Sequence, residues 1–293
     1  MNDTLGVMKK SIKSAGDLHS VVKAMKATSA ANIGQYQKSL LALGDYYHTV
    51  ELGLALCLKE SKLAPLTSFT TKKSTSQNGG RTDMVVFGSD QGLVGPFNDN
   101  IADDAIKTFA TLQVPKEIWA VGERVQECLE SSGLSIKGSF PVPTSIEAIV
   151  PLVDQILMQT DASVLFLVSN RPVSHQACSP MTRRVLPLDG EWIKQTRAVP
   201  WPNKNLAEVL GDPTETLRAL IHEYLFVSIF RACAESLASE NATRLAAMQR
   251  ADRSIDTLVR QLTTQFHRMR QNQIDEELFD VIAGFDALGG EST

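Results

Sequence analysis

From Thr214 to Thr293 the chain contains no proline, and no glycine interrupts it until Gly284. Proline and glycine are the strongest helix breakers. About seventy residues lacking both predict one uninterrupted helix, about 105 Å long at 1.5 Å per residue. A globular domain of this size is roughly 40 to 50 Å across, so such a helix is expected to protrude from it. A helix exposed over that length is stable only where a partner covers its apolar stripe. The natural partner is a second proline-free stretch, Met1 to Ala64.

Both stretches carry a stripe. Ile255, Leu262 and Met269 are seven apart, and Leu258 and Phe266 fill the intervening turns. Leu217, Leu220, Tyr224 and Val227 continue one face upstream at spacings of three and four. Near the start, Leu5, Met8, Ile12, Leu18, Val22 and Met25 repeat the pattern, and Gly34, Gly44 and Gly53 are expected to loosen the later part of that helix. Two such stripes predict an antiparallel coiled coil of Leu5 to about Leu58 with Thr214 to about Ala287.

The middle of the chain has a different rhythm. Asp83-Met-Val-Val-Phe-Gly88, Glu117-Ile-Trp-Ala-Val-Gly122 and Ser163-Val-Leu-Phe-Leu-Val-Ser169 read as buried strands. Helical segments are expected around Asn98 to Leu112, Glu123 to Ser131 and Ser145 to Gln159, the last capped by Ser145. Alternation of this kind predicts a central, Rossmann-like parallel sheet with helices on both faces. The fold class is thus α/β, with a long antiparallel coiled coil of the N- and C-terminal helices. The expected divisions are an N-terminal helix at 1–64, a flexible linker at 65–82, an α/β domain at 83–205 and a C-terminal helix at 206–293. The proline-marked stretch from Pro187 to Pro213 is expected to lead out of the α/β domain.

A parallel sheet raises the question of nucleotide binding. Gly88-Ser-Asp-Gln-Gly92-Leu-Val-Gly95 follows a strand and precedes a helix, where a phosphate loop would lie. The spacing is not Gly-x-Gly-x-x-Gly, no Gly-Lys-Ser/Thr comes after it, and Pro96 removes an amide. Gly88, Gly92 and Gly95 are therefore expected to form a structural turn that binds no phosphate. His222-Glu223 begins like a zinc-protease helix, but Phe226 stands where the second histidine is needed. Ser20-Val-Val-Lys23 matches Ser-x-x-Lys without its partner motifs. The histidines and the four cysteines are dispersed, so no metal site, disulfide framework or cofactor is expected. Asp275, Glu276, Glu277 and Asp280 read as a solvated helix face.

A net charge of −4 gives no basic field for nucleic acid. No run of about eighteen apolar residues predicts a membrane span, and no apolar stretch succeeds Lys9, Lys10 and Lys13 to make a secretory leader.

Three blocks resemble the gamma subunit of rotary F-type ATP synthases. Ile12-Lys-Ser-Ala and Val22-Lys-Ala-Met-Lys26 are similar to that family's opening helix. Ser89-Asp-Gln-Gly-Leu-Val-Gly-Pro-Phe-Asn98 resembles its Ser-Asp-Arg-Gly-Leu-Cys-Gly-Gly-Phe-Asn. Ser239-Glu-Asn-Ala-Thr-Arg-Leu-Ala-Ala-Met248 and Arg270-Gln-Asn-Gln-Ile-Asp-Glu-Glu-Leu278 resemble its closing helix. Val185-Leu-Pro-Leu188 is similar to a short run after its third strand. Gln91, Val94, Pro96, Asp275 and Phe285 depart from the family pattern, which marks a divergent member.

The resemblance implies a rotor shaft with no catalytic residues and no cofactor. It would couple ion flow to ATP synthesis or hydrolysis on a ring of alpha and beta subunits. Further implied partners are an epsilon-type subunit and the membrane ion-carrying ring. The implied place is peripheral, on the cytoplasmic face of a bacterial inner membrane. Carried over residue by residue, Lys23, Met25 and Lys26 would lie near an acidic beta-subunit loop, and Arg270 and Gln271 would meet the loop that catches the shaft. Two other classes compete: a coiled-coil scaffold in the cytoplasm, and a small-molecule enzyme built on the α/β domain. Nucleotide binding would favour the enzyme, and co-purification with alpha and beta subunits would favour the rotor.

Overall fold

The structure, a computed structural model, describes residues 2–60, 81–112, 116–160, 163–174, 177–188, 190–202, 204 and 207–289. Most of the expected linker, residues 65–80, lies outside these.

Helix α1 (Asn2–Glu60) and helix α6 (Pro213–Gly289) are each continuous. The start of α6 is written locally. Asp212 Oδ1 accepts the Thr214 amide at 3.0 Å, and Pro213 takes the first helical position, where its missing N–H costs nothing. Helix α1 runs without interruption through Gly34, Gly44 and Gly53. At Gly53 there is a packing reason: a Cβ would lie 3.1 Å from the Leu220 side chain, so glycine lets α6 approach closely. Chain contacts divide the molecule into two compact units, Ser29–Arg244 and the pair Met1–Thr28 with Leu245–Thr293.

The unit 29–244 is built on a five-stranded sheet of order β3-β2-β1-β4-β5. Its strands are β1 (Thr82–Phe87), β2 (Lys116–Val121), β3 (Ile136–Phe140), β4 (Val164–Ser174) and β5 (Ala177–Leu186). The first four run parallel, and β5 pairs antiparallel with β4. The three strands expected from sequence are β1, β2 and β4. The two that sequence reasoning missed are the sheet's edges. In β3, every residue but Phe140 is only half-buried or exposed, and β5 carries Pro180, Arg183 and Arg184. Edge strands tolerate proline and charge that a central strand would not, so their pattern is weak.

Alternation along β1 distributes its side chains between two cores. Met84 and Val86 pack with Ile101, Ala102 and Ala105 of α2 (Phe97–Thr111) and with Val125 and Leu129 of α3 (Glu123–Ser131). Val85 and Phe87 face the opposite layer, where α4 (Ile149–Gln159) brings Ile149, Val153 and Ile156. The same layer includes Leu54 and Leu58 of α1 and Ile229, Phe230 and Leu237 of α6. Burial on both faces explains why the strand reads as an unbroken apolar run. Within this unit α1 and α6 pair antiparallel: Asn32 bonds Asn241, and Tyr46 bonds Glu223.

Two further expectations are corrected. Helix α4 starts at Ile149, because the Ser145 hydroxyl closes a short turn onto the Ala148 amide at 3.3 Å instead of capping the helix. The stretch 187–213 also contains a helix, α5 (Gly190–Arg197), whose Trp192 ring stands edge-on to Tyr224 at 5.2 Å.

In the other unit, Val22 of α1 is buried with Met248 and Ile255 of α6, flanked by Met25, Ala247, Ala251 and Val259. The expected stripe holds at Val22, Met25 and Ile255 and fails at two positions. Leu18 is 53% exposed and Leu258 is 46% exposed. Their places are taken by His19 and Val259, one residue further on, which a turn of about 100° per residue carries into the seam.

Candidate functional site

Strand order reverses direction between β1 and β4. In open α/β sheets that switch point, beyond the carboxyl ends of the strands, is where ligands bind. The Gly88-to-Asn98 loop lies there. Its polar groups are turned onto protein. Asn98 Oδ1 accepts the Ser89 amide at 3.0 Å, and Asn98 Nδ2 donates to Ser89 Oγ at 2.9 Å. The Asp90 carboxylate accepts the amides of Glu123 at 3.0 Å and Val142 at 2.9 Å. It thus caps α3 from a distant segment and pins the chain after β3.

The three glycines of the expected turn differ in their constraints. A Cβ at Gly88 would overlap the Val125 side chain and sit 2.9 Å from Asn98 Oδ1. Gly95 takes φ +57°, a left-handed conformation that glycine adopts without cost. Gly92 faces open space. Leu93 is left-handed as well, at φ +63°, and it is exposed.

The crevice itself is filled by α6. Ser236 Oγ donates to the Phe87 carbonyl at 3.0 Å, and Ser239 Oγ donates to the Asn170 carbonyl at 3.0 Å. The first of these carbonyls ends β1 and the second belongs to β4, on either side of the switch point. Both serines are buried, as are Ser89 and Asn170. The helix turn therefore lies against the carboxyl ends of β1 and β4, with its hydroxyls satisfying the strand-end carbonyls. The expected result is that calorimetry of the purified chain with ATP or NAD shows no saturable heat. Micromolar binding of either would revive the enzyme reading.

One turn further, Glu240 and Arg244 form a buried ion pair at 2.6 Å. Burial pushes the Glu240 carboxyl up, while the Arg244 guanidinium pulls it down. They line a cavity of about 190 Å³ together with Tyr36, Asp90 and Asn241. Burial also pushes the Tyr36 phenol up, to about 12.

In the unit formed by the two helix ends, Lys23 is exposed, Met25 packs against the seam, and Lys26 Nζ is held by Asp252 Oδ2 at 2.8 Å. His19 Nε2 contacts the other oxygen of that carboxylate, also at 2.8 Å. The Lys26 hydrogen bond, above all, holds the Asp252 carboxyl below the usual range. Sequence reasoning missed this clip, although two basic residues on a coiled-coil flank and an acid on the partner helix are its visible signal. Arg270 and Gln271 are exposed on α6, and among the described residues no hydrogen bond or ion pair joins them to the Lys23–Lys26 group. Among the described residues, no cluster of histidine, cysteine and acidic side chains is placed to hold a metal. No helix is long and apolar enough there to cross a membrane.

Comparison with known proteins covers nearly the whole chain. The model of a family described as ATP synthase matches residues 4–288. The ATP synthase gamma chain of Brevibacillus brevis is 25% identical over 292 residues, covering 96% of this chain and 97% of that one. The ATP synthase gamma chain of Geotalea uraniireducens is 26% identical, covering 98% of this chain and 99% of that one. Among solved structures, a chain of the Euglena gracilis mitochondrial ATP synthase superposes with a TM-score of 0.63 at 14% identity, covering 100% of this chain and 97% of that one. A chain from the central stalk and c-ring of the Tetrahymena thermophila mitochondrial ATP synthase gives 0.55 at 19% identity, covering 79% and 99%. At those identities the structural likeness speaks to the fold.

Proposed function

This chain belongs to the ATP synthase family, and from that membership we propose that it is the gamma subunit, the central shaft of a rotary F-type motor. The carrying observation is the match over residues 4–288, together with gamma-chain relatives that align over almost their full length. In this reading the chain couples ion flow to ATP synthesis or hydrolysis without performing either reaction. The filled crevice at the switch point supports a non-catalytic role, since α6 seals the place where an α/β enzyme would take its ligand.

The partners are the alpha and beta subunits of the catalytic ring, an epsilon-type subunit and the ion-carrying ring. The chain sits peripherally at the cytoplasmic face of the bacterial inner membrane. Coupling comes from asymmetry. A shaft that contacts each beta subunit differently at a given angle stabilises a different conformation in each, and rotation moves those preferences around the ring. Lys23, Met25 and Lys26 on α1, and Arg270 and Gln271 on α6, are the residues proposed to make such contacts.

The test is co-purification. Tagged chain drawn from its native host should bring alpha and beta subunits with it, in a complex that hydrolyses ATP. Recovery of the chain without them would sink the rotor reading and leave the scaffold.

A further inference from the structure

The cavity of about 190 Å³ lies where three elements of the unit 29–244 meet. Helix α1 contributes Tyr36, the loop after β1 contributes Asp90 and Gln91, and α6 contributes Glu240 and Arg244. The wall thus holds two carboxylates and one guanidinium, and one negative charge has no cationic match there. Arg244 engages Glu240 through Oε1, at 2.6 Å, and Oε2 makes no hydrogen bond among the described residues. Asp90 is bonded by the backbone amides of Glu123 and Val142, which carry no formal charge. Tyr36 is only 4% exposed and lines the cavity, yet among the described residues its hydroxyl makes no hydrogen bond. A buried phenol normally finds a partner.

We infer that this cavity is a binding site for a small organic monocation of the guanidinium or primary-ammonium class, held by Glu240, Asp90 and Tyr36. Such an ion donates directional hydrogen bonds to the open carboxylate oxygen and the phenol oxygen, and it supplies the missing charge. Electrostatics select against an anion. Burial pushes the Glu240 carboxyl up, Arg244 opposes that rise, and the Asp90 carboxylate adds to it. The Tyr36 phenol is raised to about 12, by burial first and then by neighbouring groups that include Glu240. A phosphate or carboxylate would add to the same repulsion. Size selects against a bare ion, since the cavity is several times the roughly 30 Å³ that one water occupies. Among the described residues, no cluster of histidine, cysteine and acidic side chains is placed to hold a metal, so a ligand with its own N–H donors suits the wall better. Gln91 stands where the family motif has arginine, and this chain therefore presents a neutral amide at the cavity. The inference uses none of the residues proposed for rotor contacts and does not depend on that reading.

Isothermal calorimetry of the full chain, at fixed ionic strength, tests it. Methylguanidinium or ethylammonium should give saturable heat, and inorganic phosphate should give none. Gln91→Arg tethers a competing cation beside the site and should weaken binding about three- to tenfold. Gln91→Glu adds an attracting charge at the same exposed position and should tighten it about two- to fivefold. Tyr36→Phe should weaken binding about two- to tenfold, as for one hydrogen bond. It should leave the urea midpoint no lower than that of the unaltered chain, because the hydroxyl has no bond within the protein to lose. The inference is overturned if neither cation saturates, if phosphate binds instead, or if both Gln91 variants shift affinity in the same direction.

Discussion

Replacing Arg270 by Ala should lower ATP hydrolysis by the assembled complex roughly ten- to a hundredfold, without loss of the shaft helix. Arg270 is exposed on α6, well inside the helical span. Alanine is the best helix former, and an exposed site with no buried contact carries little stability. The loss is therefore expected in function. A planar guanidinium can donate paired hydrogen bonds to a carboxylate or carbonyl, and in the proposed function Arg270 would do so to a catch loop at one rotor angle only. Losing a charge-assisted contact costs about 1.5 to 3 kcal/mol. If the contact is stronger in the rate-limiting state than before it, that cost appears in turnover at about 1.4 kcal/mol per decade. Thr264→Ala is the control. Thr264 is exposed on the same helix, and its hydroxyl donates to the Arg260 carbonyl, at 3.0 Å. Hydrolysis is measured per assembled complex. Equal activity of the two variants would show that Arg270 is merely solvated.

Gly88→Ala should destabilise the unit 29–244 by about 2 to 3 kcal/mol, with a lower midpoint in urea unfolding. The added methyl would overlap the Val125 side chain, whose Cβ is fixed by helix α3 and is not the far end of a flexible group. It would also press on Asn98 Oδ1, the acceptor for the Ser89 amide, at 2.9 Å. Relief requires α3 to move away from β1, opening the core that holds Met84, Val86 and Leu129. Against a total stability of about 5 to 15 kcal/mol, that is a large fraction. Gly92→Ala, a few residues along the same loop, meets nothing within 4 Å and should shift stability by less than about 0.5 kcal/mol. Two variants that unfold alike would mean that Gly88 is not the close-packed end of β1.

Much of this could be read directly from the chain. The two long helices are a consequence of what is absent from their sequences, and absence of proline acts locally, through backbone geometry alone. Strands β1, β2 and β4 are legible because burial on both faces demands apolar residues without a break. The start of α6 is legible too, since Asp212 and Pro213 satisfy the first turn from adjacent positions. The first and last motif blocks that point to the family lie on the two long helices, so the shaft reading survives the departures at Gln91, Val94 and Pro96, which fall in the loop after β1.

What sequence left open depends on segments far apart in the chain. Leu18 and Leu258 look like seam residues by composition, yet His19 and Val259 occupy the seam. The phase of a coiled coil is set by the partner helix, and a one-residue error turns a side chain through about 100°. Lys26 reads as a surface cation until Asp252, at a sequence separation of 226, is seen to hold it. The edge strands β3 and β5 are accepted by the sheet because their neighbours already supply the core. Ser236 and Ser239 have no signature of their own: a serine in a helix is ordinary until its hydroxyl meets a strand-end carbonyl. By itself the sequence determined the two long helices, the central strands and the absence of a phosphate-loop fingerprint, all of which come from local backbone rules. Only the tertiary structure decided that α6 fills the sheet's ligand crevice and that Asp252 claims Lys26, because hydrogen bonds between distant segments leave no period in a sequence.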